Sequence, residues 1–223
     1  MLPTFKNPQL LNLALTHRSA LNEKNAGSVE SNERLEFLGD AVLEVVATEF
    51  LFHKFPKEPE GTLTAYRSAL VKTTSLATVA TTLGLGEQLK MSKGEETTGG
   101  RTNPSLLADT LEAVIGALYL DQGSTAVTTF LHEHLFTSLD TILEQRLYKD
   151  PKSELQEYVQ ALGDETPLYE VVSESGPDHS KEFTVAVTVN KKVIGQGSGK
   201  SKQQAQQAAA QEALQRFSQA RSK

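Results

Sequence analysis

Two groups of carboxylates stand at helical spacing in this sequence. They are Glu33, Glu36 and Asp40 at i, i+3 and i+7, and Asp109 and Glu112 at i, i+3. Each group therefore shares one face of a helix. An acid pair at this spacing is ordinarily a solvated surface. Residues 41–47 and 113–120, which continue the two helices, are almost wholly apolar and leave little polar surface around the acids.

Carboxylates crowded on apolar helices repel one another and raise each other's pKa unless a cation neutralises them. Two acidic helices of this kind predict one shared site for a divalent cation. The chain has no cysteine, and an all-oxygen ligand set suits Mg²⁺ or Mn²⁺ better than zinc.

The octet that contains the first acid group, residues 33–40, reads ERLEFLGD. It resembles the signature of the ribonuclease III family, divalent-metal endonucleases that cleave double-stranded RNA. Residues 14–19, 92–96, 100–101 and 107–121 resemble further family landmarks in the family's order. The resemblance covers nearly the whole chain.

This resemblance implies the roles of individual acids. The implied metal ligands are Glu36, Asp40, Asp109 and Glu112, with Asp40 and Glu112 as catalytic residues. Mg²⁺ is the implied cofactor, with Mn²⁺ as a substitute. Glu33 matches another family acid near the site, and the alternative is an ion pair with Arg34 or another neighbour. In-line attack of water on a phosphodiester suits a two-metal scheme, and the family's products carry 5′-phosphate and 3′-hydroxyl ends.

The resemblance also implies a homodimer with one site per subunit, which cuts both strands and leaves short 3′ overhangs. Phe37 matches the side chain that the family inserts into the partner subunit. The alternative for Phe37 is packing in its own core. His17 and Arg18 match family landmarks, and we expect them to make structural hydrogen bonds.

Length and charge constrain the organisation. The 223 residues suffice for a larger core plus a small domain. The absence of cysteine, of an apolar leader and of a membrane-spanning apolar run predicts a cytoplasmic protein without a membrane partner. A formal net charge of -6 is unusual for a nucleic-acid binder, and it predicts weak, salt-sensitive RNA binding.

Residues 1–148 are predicted to form an all-α catalytic domain. Apolar residues recur at helical spacing over Leu10–Leu15, Leu35–Phe52, Thr62–Leu83, Ser105–Leu120 and Thr125–Leu147. The stretch Met91–Asn103 has no periodicity and is predicted to be a loop.

Residues 150–219 are predicted to form a small α+β domain of α-β-β-β-α order. Asp150 and Pro151 have the residue types of an N-cap and a first helical position. Alternating segments at Leu168–Ser173 and Glu182–Val189, followed by Val193–Ile194, predict three strands, and an Ala-rich helix over Gln203–Phe217 closes the chain. The order resembles that of the double-stranded RNA-binding domain.

Such domains contact A-form RNA through three separated patches. By resemblance, the RNA-binding residues are Ser153, Gln156 and Gln160 on the first helix, His179 in the loop 176–179, and Lys200 and Lys202 before the last helix. Gln203 stands where the family commonly has another lysine, which predicts weaker phosphate binding.

The sequence therefore predicts a ribonuclease III-type endoribonuclease that processes ribosomal RNA precursors, messenger RNA and other structured RNAs. Two alternatives are a noncatalytic double-stranded RNA-binding protein and a structural helix bundle with incidental acids. The four retained carboxylates favour the enzyme.

Overall fold

The computed structural model describes residues 2–22, 30–177 and 181–221. The chain divides into two compact units, Met1–Tyr148 and Lys149–Lys223. Within the described residues, no helix is both long enough and apolar enough to cross a membrane.

The first unit is helical, as the sequence predicts. Its helices are α1 (Pro8–Ala14), α2 (Glu33–Lys54), α3 (Glu60–Leu70), α4 (Thr73–Thr82), α5 (Leu85–Gln88), α6 (Lys93–Thr97), α7 (Pro104–Gln122), α8 (Ser124–His134) and α9 (Leu139–Glu144). Helix α7 is the centre of the unit, because Leu111, Ile115 and Leu118 are fully buried and most of its other apolar residues are buried as well. A helix that is apolar nearly all round can be stable only inside a core.

Two glycines allow α2 and α7 to cross at close range. A Cβ atom on Gly39 would overlap the carbonyl oxygen of Glu112, and a Cβ atom on Gly116 would overlap the carbonyl oxygen of Leu35. The two backbones therefore touch at this crossing. Glu36 lies one turn before Gly39, and Glu112 lies one turn before Gly116, so the crossing brings the two acid groups together.

Three predicted boundaries of the first unit are wrong. The stretch Thr62–Leu83 forms two helices, because the chain leaves helical geometry at Val71 and Lys72. Thr125–Leu147 is likewise divided, by a 3₁₀ turn at Phe136–Ser138. The predicted loop Met91–Asn103 contains α6 and another 3₁₀ turn.

The second unit has the predicted α-β-β-β-α order. Its elements are α10 (Pro151–Ala161), β1 (Leu168–Ser175), β2 (Glu182–Val189), β3 (Lys192–Gly199) and α11 (Lys202–Arg221). The strands form one antiparallel sheet in the order β1-β2-β3. Asp150 accepts a hydrogen bond from the backbone N–H of Lys152 (3.2 Å) with Pro151 at the first helical position, which confirms the predicted N-cap.

Strand β3 is longer than predicted, and its glycines explain why. A Cβ atom on Gly197 would overlap the backbone N of Ala209, and Cβ atoms on Gly195 and Gly199 would also overlap atoms of α11. The alternate glycines let the Ala-rich helix pack directly on the strand. Because these positions carry no apolar side chain, the alternation that marks a strand ends in the sequence at Ile194.

Candidate functional site

Both acid-bearing helices begin at fixed positions. At the start of α2, the buried Asn32 donates its backbone N–H to the carbonyl of Thr16 (2.8 Å) and its side-chain amide to the carbonyl of Ala14 (3.3 Å). At the start of α7, Asn103 accepts hydrogen bonds from the backbone N–H groups of Ser105 (2.9 Å) and Leu106 (3.4 Å). These contacts fix the first turns of both helices, and the acids lie within the first three turns.

Three of the predicted metal ligands meet at the crossing of α2 and α7. Glu36, Asp109 and Glu112 each offer a carboxylate oxygen, and these oxygens lie within 4.8 Å of one another. All three residues are partly buried. Asp40, the fourth predicted ligand, is exposed and lies outside this compact trio. We call the four residues together the acid cluster.

The acid cluster raises the pKa values of its own members. Burial raises the pKa of Glu112 to about 7, and the charges of Asp40, Asp109 and Glu36 add to this effect in that order. Burial also raises the pKa of Glu36, with further contributions from Asp109, Glu33 and Asp40. Asp40 is therefore near enough to act electrostatically on both helices' acids.

Two residues with an expected structural role lie close to the acid cluster. Burial raises the pKa of Asp109, and the charge of His17 opposes that shift. Arg18 opposes the raised pKa of Glu36 in the same way. Arg18 is also the partner of Glu33, with 3.5 Å between Nη1 and Oε1. Glu33 thus makes the ion pair expected with Arg34 or another neighbour, and its partner is Arg18, 15 residues earlier in the chain.

The donor set of the acid cluster fits a hard divalent cation. Every donor is a carboxylate oxygen, the ligand type that Mg²⁺ and Mn²⁺ prefer. The carboxylates are partly removed from water and repel one another, and a bound cation would compensate both the lost hydration and the repulsion. Glu36 and Asp109 lie on opposite helices, so binding would also hold α2 against α7.

Phe37 lies beside the acid cluster but points to solvent. Its exposed fraction is 82%, so the alternative of core packing in its own subunit is wrong. Val45 and Phe52 on the same helix are 66% and 64% exposed, and Ala41 is exposed as well. These four residues stand at i, i+4, i+8 and i+15 and form one apolar stripe along α2. We call it the α2 stripe.

In the second unit, the predicted RNA-binding residues of the first helix share an exposed face. Ser153, Gln156 and Gln160 are all exposed on α10. The Ser153 hydroxyl donates to the N-cap carboxylate of Asp150 (2.9 Å). His179, the predicted second contact, lies outside the described residues, so its position is not compared.

The third predicted patch is partly engaged within the protein. The Lys202 ammonium lies 3.7 Å from the carboxylate of Glu174, which also binds Lys181 at 2.8 Å. The backbone N–H of Lys200 donates to the side chain of Gln204 (3.1 Å). Lys200 and Lys202 are exposed, but Glu174 partly neutralises the charge of Lys202.

Comparison with known proteins gives consistent matches for both units. The family model described as ribonuclease-III-like matches residues 7–139, and the double-stranded RNA binding motif matches residues 151–216. Ribonuclease 3 of Bacillus licheniformis is 50% identical over 210 residues, which cover 94% of this chain and 84% of that protein. Ribonuclease 3 of Listeria monocytogenes is 46% identical, with 94% and 91% of the two chains covered.

A solved structure agrees with these matches. The nuclease domain of ribonuclease III from Campylobacter jejuni, described as flexible in a region involved in dimer formation, superposes with a TM-score of 0.55. It is 46% identical and covers 60% of this chain and 90% of that one. The sequence relatives and the model of the helical unit lead to the same assignment: this chain belongs to the ribonuclease III family.

Proposed function

We propose that this chain hydrolyses phosphodiester bonds of double-stranded RNA at the acid cluster with the help of Mg²⁺, for which Mn²⁺ substitutes. The observation that carries the proposal is the convergence of Glu36, Asp109 and Glu112 from two helices to within 4.8 Å. Incidental surface acids would not be brought together by a glycine-mediated helix crossing that also partly buries them.

Each acid has a distinct part in this proposal. Glu36, Asp109 and Glu112, whose carboxylate oxygens converge, would hold the cation. Asp40 and Glu112 are the catalytic pair. When bound, such a cation would supply Lewis-acid chemistry, lowering the pKa of a water molecule and compensating the negative charge on the departing 3′ oxygen of the phosphodiester. The products of this cleavage carry 5′-phosphate and 3′-hydroxyl ends.

His17, Arg18 and Glu33 position the acids in this account. His17 and Arg18 oppose the raised pKa values of Asp109 and Glu36, respectively. Both therefore favour the ionised carboxylates that bind metal. Glu33 acts through its ion pair with Arg18.

The α2 stripe supports a homodimer as the working form. The stripe presents the exposed side chains of Phe37, Val45 and Phe52 on one helix face. Association would bury this apolar surface. A second copy of this chain is the proposed occupant, with Phe37 inserted into it. Because Phe37 stands between Glu36 and Asp40, dimerisation would bring two acid clusters to one duplex. The two clusters would then cut both strands and leave short 3′ overhangs.

The second unit binds the duplex in this proposal and presents it to the acid cluster. The matched RNA-binding motif and the exposed face of Ser153, Gln156 and Gln160 support recognition of A-form shape rather than of sequence. The substrates are then structured RNAs, including precursors of ribosomal RNA and messenger RNAs. The cytoplasm is the compartment that such substrates imply.

A noncatalytic RNA-binding protein remains the alternative. The second unit alone would serve that function. The acid cluster would then only destabilise the fold, because partly buried carboxylates that repel one another are costly without a cation.

Cleavage of a perfectly paired RNA duplex with Mg²⁺ and with EDTA tests the proposal. We expect both strands to be cut only with Mg²⁺, with 5′-phosphates, 3′-hydroxyls and short 3′ overhangs on sequencing the ends. Cleavage that persists in EDTA would overturn the metal mechanism. Binding of the duplex without cleavage at any Mg²⁺ or Mn²⁺ concentration would establish the noncatalytic alternative.

A further inference from the structure

A pocket of about 280 Å³ lies between α10, β1 and α11 of the second unit. Lys152 and Tyr169 line it together with Ser153, Gln156 and Gln203. Ser153 and Gln156 belong to the face predicted to contact the minor groove, whereas Gln203 stands at the start of α11. The pocket thus lies between two of the three expected RNA-binding patches.

The ammonium of Lys152 is held in this pocket by neutral groups. Its ammonium donates a hydrogen bond to the side-chain oxygen of Gln206 (2.8 Å) and lies 4.9 Å from the centroid of the Tyr169 ring. Its backbone N–H is shared between the side-chain oxygens of Asp150 (3.2 Å) and Gln207 (3.3 Å). An ammonium has three donors, so the contact with Gln206 leaves two for a ligand.

Three other lysines of this unit are paired with carboxylates. Lys149 binds Glu154 at 2.6 Å, and Lys181 and Lys202 share Glu174. Among the residues that the structure describes, the Lys152 ammonium forms no such ion pair. Its partners orient it without neutralising it, so its full charge is available to an anion.

The remaining groups of the pocket also favour an acceptor ligand. The Tyr169 hydroxyl is buried and has no hydrogen-bond partner among the described residues. Burial, and after it the charge of Asp150, raise the pKa of Tyr169 to about 12, so the hydroxyl stays a donor. Asp150 is the anion that lines the pocket, and its carboxylate is occupied by the Lys152 N–H and the Ser153 hydroxyl.

We propose that Lys152 binds a backbone phosphate of the RNA duplex, with Gln206 and the Tyr169 ring as its positioning residues. The inference rests on the proposed function in that duplex RNA is the ligand of the second unit. It assigns a use to the glutamine-rich start of α11: Gln206 and Gln207 hold a lysine of the neighbouring helix where Gln203 supplies no charge. Lys152 of α10 thus supplies a positive charge for a phosphate that Gln203 does not supply.

The test is the salt dependence of duplex binding by the full chain in EDTA, which prevents metal-dependent cleavage. We expect Lys152→Gln to weaken binding about fivefold to tenfold and to reduce the slope of log affinity against log salt by about 1. Lys152→Arg should keep the slope. Lys149→Gln is the matched control, because it removes the same charge two residues before α10 but from a lysine that already has a carboxylate partner.

The slope separates a phosphate contact from a structural effect, because partial unfolding lowers the active fraction without changing the slope. An unchanged slope for Lys152→Gln, or an equal change for Lys149→Gln, would overturn the inference while leaving the proposed function intact. A wild-type chain that fails to bind duplex RNA at low salt would overturn both.

Discussion

The acid cluster and the RNA-binding surface are built in opposite ways. The acid cluster lies where two long helices touch backbone to backbone, and Glu36, Asp109 and Glu112 are partly buried there among carboxylates that repel one another. The predicted RNA-binding residues that the structure describes are exposed and lie on two separate elements, the helix α10 and the start of α11. In the acid cluster, burial and crowding raise the pKa values of the carboxylates, whereas the positive charge available on the RNA-binding surface depends on which lysines lack a carboxylate partner.

This difference bears on how each region tolerates change. A buried site has few permitted geometries, so one substitution should abolish its function. A dispersed surface shares its affinity among many weak contacts, so one substitution should cost only part of it. The predictions below test this contrast, beginning with the largest expected effect.

Glu112→Gln should abolish turnover and leave duplex binding almost unchanged. The amide keeps the size of the side chain but loses the charge that holds the cation, and the RNA contacts of the second unit are untouched. We expect single-turnover cleavage to fall at least about 1000-fold, with the affinity for duplex RNA in EDTA close to that of the wild type. Glu49→Gln, which changes an exposed acid of α2, is the control and should cleave normally. Near-normal cleavage by Glu112→Gln at saturating Mg²⁺ would remove Glu112 from the site.

Phe37→Ala should weaken the dimer. Removing an 82% exposed side chain costs the monomer little, but it empties the proposed socket on the partner, at about 2 to 4 kcal/mol of association free energy. Sedimentation over a range of protein concentrations measures this. A variant that remains dimeric at the lowest concentration would show that the α2 stripe is not the interface.

Gly116→Ala should destabilise the first unit and reduce cleavage together. The added methyl group overlaps the Leu35 carbonyl and forces α2 and α7 apart, at about 1 to 3 kcal/mol. Gly61→Ala is the matched control, since a Cβ atom there meets nothing within 4 Å and alanine favours a helix by roughly 0.5 to 1 kcal/mol. Urea unfolding should therefore show a lower free energy of unfolding for Gly116→Ala and a slightly higher one for Gly61→Ala than for the wild type. Equal stability of Gly116→Ala and the wild type would contradict the close crossing.

The metal-free protein should lose stability as pH rises. The pKa of Glu112 in the folded state is about 7, above its ordinary value of 4.5, so the folded protein binds this proton more tightly than the unfolded chain does. The resulting stabilisation is complete below pH 4.5 and is lost as pH rises through 7.

In EDTA, the free energy of unfolding from urea titrations should fall between about pH 5 and about pH 8 by roughly 1 to 2 kcal/mol, after allowance for solvent screening. Glu112→Gln should lose much less over the same interval. A wild-type protein that gains stability over this interval would mean that the acids are not crowded.

The sequence predicts much of the fold because most of its signals are local. Asp150 and Pro151 mark the start of α10, and the alternation around Val185 marks β2. The division between α3 and α4 has no such signal. No glycine or proline stands at Val71 or Lys72, and apolar spacing continues because both helices bury residues in the same core.

For the site, the sequence gives the spacing of the acids but not their surroundings. It cannot show that Glu33 pairs with Arg18 instead of Arg34, or that Asp40 is exposed while Glu112 is partly buried. Those differences arise from the packing of distant segments. The partners of Lys152 show the same limit, because Gln206 and Gln207 are more than 50 residues away along the chain.

Calorimetric titration of the RNA-free protein with Mn²⁺ tests the central claim most directly, since it measures metal binding without substrate. At about pH 8, above the pKa of Glu112 in the folded state, we expect the wild type and Glu49→Gln to bind Mn²⁺ equally. Glu112→Gln should bind at least about tenfold more weakly. Equal binding by Glu112→Gln and the wild type would contradict a metal site at the crossing of α2 and α7.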